Sequence, residues 1–134
     1  MKTITLVALA SLTLILTGCH KDAEVQACIT ELDATTAEIV KHLETNPTAA
    51  GVDEAQKALD ARKATIKARL DVVRGLESTQ VTDAMIAKLK NSIASSQKAM
   101  MDISITAGPK LGTDPAAAAK FKKLTDDYTS ALMK

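Results

Sequence analysis

The stretch TDAMIAKLKNSIASSQKAMMDISITAG, residues 82–108, places Thr82, Ile86, Leu89, Ile93, Ser96, Met100, Ile103 and Ala107 at steps of four and three. That spacing keeps one face of an α-helix turned toward a neighbour crossing at a shallow angle. Toward its end, Ile103-Ser104-Ile105-Thr106 is β-branched or hydroxyl-bearing, which lowers helix propensity. Gly108-Pro109 then predicts a stop, so this helix is expected over about 80–107.

The same period continues on both sides. Upstream, Val25, Ile29, Leu32, Thr36, Ile39 and Leu43 form a seam that predicts a helix over about 22–45, closed by Asn46-Pro47 because the residue before proline is pushed out of helical angles. Val52, Leu59, Ile66 and Val73 recur every seven residues, with Ala55 and Leu70 between them, and predict a helix over about 52–76. Asp53 and Glu54 suit its positive N-terminal end, and Gly75 weakens its finish. Downstream, Asp114-Pro115 supplies a cap and a proline at the first helical position. Ala117, Phe121, Leu124, Tyr128 and Ala131 then share one face of a helix over about 115–132.

Four amphipathic segments with short connections predict an all-α fold, an antiparallel four-helix up-down bundle. Because the last segment is short, a three-helix body with a looser C-terminal helix is the alternative. Charge supports pairing of the first two helices. Residues 21–46 hold two basic and six acidic side chains, and residues 57–74 hold six basic and two acidic.

The N-terminus reads differently. MKTITLVALASLTLILTGC, residues 1–19, has a charge at Lys2, an apolar run from Ile4 to Leu16 and two small residues before Cys19, the layout of an export signal. A helix of these thirteen residues reaches only about 20 Å, short of the ~30 Å hydrocarbon core of a bilayer. Leu16-Thr17-Gly18-Cys19 resembles the lipobox of bacterial lipoproteins. The resemblance implies cleavage of residues 1–18, diacylglycerol on the Cys19 sulfur, and acylation, as by palmitate, of the new amino group. It also implies a membrane-anchored envelope protein. In Gram-negative lipoproteins an aspartate after the lipidated cysteine commonly retains the protein at the inner membrane. His20 stands there instead, so the resemblance favours the cell outer membrane.

From Cys19 to Lys134 the chain has 116 residues, enough for one domain. All 16 acidic residues and 16 of the 17 Lys and Arg lie in it, so its formal charge is zero. That balance gives no basic surplus for nucleic acid. Phe121 and Tyr128 are the only aromatics, too few for a base-stacking or sugar-binding surface. With Cys19 carrying lipid, Cys28 is left as an odd thiol, either a small packing residue or the bridge of a homodimer; helix faces offer a second route to self-association.

No motif for haem attachment, HExxH metal binding, phosphate cradling or a serine nucleophile occurs. No enzyme, metal or cofactor is therefore expected. Glu38 and His42, one helical turn apart, read as a surface pair. Asp53-Glu54 and Asp126-Asp127 are adjacent on helices, where neighbours point about 100° apart and do not converge. Met100 falls on the seam and reads as packing rather than as a soft-metal ligand.

One group stands out. If successive helices alternate in direction, Thr36, Leu59, Ser96 and Tyr128 fall at one level, which places three hydroxyls in a single middle layer. Such a layer either fixes register or holds a small polar ligand, with Arg62 and Lys63 about a turn away. The sequence thus predicts a non-enzymatic interaction or structural module tied closely to the membrane, its partner an envelope protein or the cell wall. The alternative is a small-ligand or lipid-binding bundle that uses the polar layer.

Overall fold

The computed structural model describes residues 21–133; the expected export signal and Cys19 lie outside the described residues. Four helices account for nearly all of it: α1 (Asp22–Thr45), α2 (Ala49–Arg74), α3 (Asp83–Leu111) and α4 (Pro115–Met133). The α1 and α4 spans match the sequence reading, and two others shift for local reasons. α2 starts at Ala49 rather than 52 because Thr48 caps it, its hydroxyl accepting the Gly51 N–H at 3.5 Å. Gly51 also lets the α1–α2 turn close, since a Cβ there would sit 1.7 Å from the Asn46 carbonyl oxygen.

α3 departs further. It begins at Asp83 rather than 80, behind Thr82, whose hydroxyl accepts the Met85 N–H at 3.3 Å. It also runs through Gly108-Pro109 to Leu111 instead of stopping at 107. Proline removes one backbone donor, whose acceptor would be the carbonyl of Ile105, an exposed residue on the solvent side of the helix. Leu111, fully buried, anchors the extra turn in the core.

The helices alternate in direction along the chain, yet their neighbours are not simply sequential. α1 lies between α2 and α3, and α4 lies beside α2, with only sparse contact between α4 and α3. Cross-pairs fix the senses. Asp22 with Thr82 and Asp33 with Ser92 ascend together, so α1 and α3 run parallel. Asp53 with Lys120 and Gln56 with Asp127 do the same for α2 and α4. The opposite-charge flanks meet as expected, Arg62 on α2 lying 3.0 Å from Glu38 and 4.0 Å from Glu31 on α1.

The core follows the seams: Leu32, Ile39 and Leu43 of α1 pack with Leu59 and Ile66 of α2, Ile103 of α3 and Leu124 of α4. α4 is a full member of the bundle through Leu124, Tyr128 and Leu132, which removes the three-helix alternative. Ile86, Ile93, Val73 and Phe121 are only partly buried against this core.

One end of the bundle gathers the start of α1, the end of α2, the start of α3 and the end of α4. The Lys21 N–H donates to the Gln80 carbonyl at 2.6 Å, and the Thr82 N–H and hydroxyl donate to the two Asp22 carboxylate oxygens at 2.9 and 2.7 Å. Arg74 donates to the Leu132 carbonyl at 2.7 Å. The polypeptide is therefore fastened to the α2–α3 connection two residues after Cys19.

Candidate functional site

The predicted polar layer forms. Thr36, Ser96 and Tyr128 are 5, 3 and 3 % exposed, and the Tyr128 hydroxyl lies 2.6 Å from Thr36 Oγ1 across the bundle diagonal. Thr36 has one hydroxyl proton, and its Oγ1 donates to the Leu32 carbonyl at 2.9 Å. The phenol must then be the donor to Thr36, giving a relay Tyr128 to Thr36 to Leu32.

Burial raises the Tyr128 pKa, outweighing the Thr36 and Ser96 hydroxyls that favour the phenolate, and the Asp33 carboxylate raises it a little more. Asp33 is held just outside the layer by the Ser92 hydroxyl, which donates to it at 2.5 Å. This second polar pair was missed in the sequence. Ser92 precedes Ser96 by one helical turn and is buried, but it lies off the four-three seam, so the spacing does not single it out.

Arg62 and Lys63 do not enter the layer. Arg62 turns to Glu38 and Glu31, and Lys63 to Asp60 at 2.6 Å. Glu38 is thus engaged across helices rather than left to orient His42. The acidic pairs diverge as geometry requires. Asp53 meets Lys120 and Glu54 meets Lys57; Asp126 meets Lys122, and Asp127 meets Lys123 and Gln56. Among the described residues no group of three or more His, Cys, Asp or Glu side chains could hold a metal ion.

Cys28 is 1 % exposed on α1, and burial raises its thiol pKa despite the nearby Arg69 and Arg74 cations. A thiol so placed is a packing group and a poor nucleophile, and a disulfide to a second chain would require the bundle to open.

Two surface openings flank the layer. Thr36 and Ser96 reach a cleft of about 240 Å³ between α1 and α3, lined also by Ala37, Val40 and Ala99. Tyr128 reaches a groove of about 310 Å³ between α3 and α4 with Met100, Met101, Leu132 and Met133. The hydroxyls themselves are spent on one another and on backbone, so the layer suits register better than ligand capture.

No protein-family model, curated protein or solved structure matches this chain.

Proposed function

We propose that the protein is a lipid-anchored envelope lipoprotein whose helical bundle serves as a non-enzymatic interaction or structural module, at the outer membrane in a Gram-negative host. The observation that carries the reading is Leu16-Thr17-Gly18-Cys19, which ends an apolar run two residues before the chain is fastened at Lys21 and Asp22. A lipid on Cys19 would leave almost no tether, so the basal end of the bundle would rest near the bilayer and its helix faces would meet a protein or cell-wall partner. Each buried methylene contributes ~0.8 kcal/mol and stable anchoring takes more than one chain, which a multiply acylated cysteine provides.

Among described residues no helix is long and apolar enough to cross a membrane. Burial raises the Tyr128 and Cys28 pKa values, which holds both groups away from reactivity at neutral pH. Crosslinking in intact cells tests the module. A reproducible envelope protein or cell-wall partner is expected, and it should be lost when Cys19→Ala removes the anchor; recovery of no specific partner would contradict the reading.

A further inference from the structure

We infer that the groove between α3 and α4 binds an aliphatic chain of a bilayer lipid. The inference rests on the anchored reading for the presence of the bilayer, but concerns a different surface from the anchor.

The two helices touch sparsely and leave a groove walled by Met100, Met101, Leu132 and Met133 over the ring of Tyr128, with the uncharged polar side chains of Gln97, Ser104, Thr125 and Thr129 at its margins. No residue lining it is charged. The Tyr128 hydroxyl is committed inward to Thr36, so the groove receives the ring rather than the polar tip. Met101 and Met133 are 59 and 70 % exposed, and Ile105, one turn beyond Met101, is 66 % exposed. These are three of the four exposed large apolar side chains among the described residues. Methionine thioethers adapt to an irregular or flexible apolar guest.

Charge and size select the guest. The flanking charges are paired: Lys98 with Asp102 on α3, Lys122 with Asp126 on α4, and Arg74, which bonds the Leu132 carbonyl at the groove's end, with Asp71 at 3.5 Å. An uncharged, narrow guest fits this neutrality. At about 310 Å³ the groove lies at the small end of ligand sites, room for part of an acyl chain rather than a whole lipid. Position supplies the source. The Leu132–Met133 end of the groove lies toward the base, where Arg74 bonds the Leu132 carbonyl and Lys21, the first described residue, is fastened.

The test uses the full chain expressed in its membrane and reconstituted in phosphatidylcholine vesicles carrying a diazirine on one acyl chain. After irradiation, mass spectrometry should place labelled lipid on Met101, Thr125 or Met133. Met101→Glu and Met133→Glu, both at exposed positions that leave the core intact, should each reduce that labelling about tenfold by opposing a charge to the chain. Labelling spread evenly over all helix faces, unchanged labelling in both variants, or crosslinks to a second copy of this chain at the groove would overturn the proposal. So would labelling by the protein's own acyl groups alone. The intact mass reads the anchor separately: an unacylated protein with a labelled groove removes the anchoring reading alone, and an acylated protein with an unlabelled groove removes this one alone.

Discussion

Tyr128 is the one tyrosine of the chain and starts a buried hydroxyl relay through Thr36 to the Leu32 carbonyl. Removing Thr36 Oγ1 by Thr36→Val should destabilise the protein by about 1–3 kcal/mol, because the phenol keeps its proton and loses its acceptor. Tyr128→Phe removes the demand, so the double variant should be less destabilised than the two single changes added together. Urea unfolding of all four proteins checks this, and a coupling below about 0.5 kcal/mol would mean the pair does not interact as described. The pH response follows from the raised Tyr128 pKa. The folded state favours the neutral phenol, so its contribution is complete below the unfolded tyrosine pKa of about 10 and declines as pH rises through the higher folded value. Cys28, also raised by burial, acts in the same alkaline direction. The wild type should therefore lose more thermal stability than Tyr128→Phe between neutral and strongly alkaline pH. With one tyrosine and no tryptophan, phenolate absorbance follows this residue directly. The layer was legible in the sequence because a seam spaced by four and three, folded back on itself, fixes which residues share a level. The Asp33–Ser92 pair was not, because a carboxylate on a helix flank looks the same in sequence whether or not a neighbouring helix supplies a donor.

At the scale of the helix, the elements were legible wherever a periodic seam and a capping residue agreed. α4 shows this most plainly, with Asp114 accepting the Ala116 N–H at 2.9 Å before Pro115 begins the helix. Where a local stop signal conflicted with a tertiary contact, the contact prevailed. Pro109 lies within α3 because only one donor is lost near the helix end and Leu111 gains full burial. The start of α1 depends on a similar long-range contact, since both Asp22 oxygens accept from Thr82 at the head of α3. Asp22→Ala should lower stability by about 1–2 kcal/mol and raise amide hydrogen exchange at the first turns of α1 and α3 while leaving the bundle middle protected. Exchange that increased uniformly along all four helices would show that this contact is not a local fastening.

For the whole molecule, alternating direction was legible from the short connections and the α1–α2 pairing from charge, but the neighbours of α3 and α4 were not. The α2–α3 connection crosses the base so that α3 joins α1 and α4 joins α2, an arrangement whose cross-pairs, such as Asp53–Lys120, no helical period encodes. The consequence is one thinly packed seam, the α3–α4 groove, and one basal end that collects both the chain's exit and the groove's lower mouth. Everything proposed for the protein depends on what joins that end to its surroundings. The direct measurement is the intact mass of the protein purified from the membrane fraction, beside Cys19→Ala. The wild type should have the mass of residues 19–134 plus a diacylglyceryl group and further acylation, and Cys19→Ala should lack lipid and lose its membrane attachment. A wild-type protein carrying no acyl mass, or beginning at any residue other than Cys19, would contradict the account.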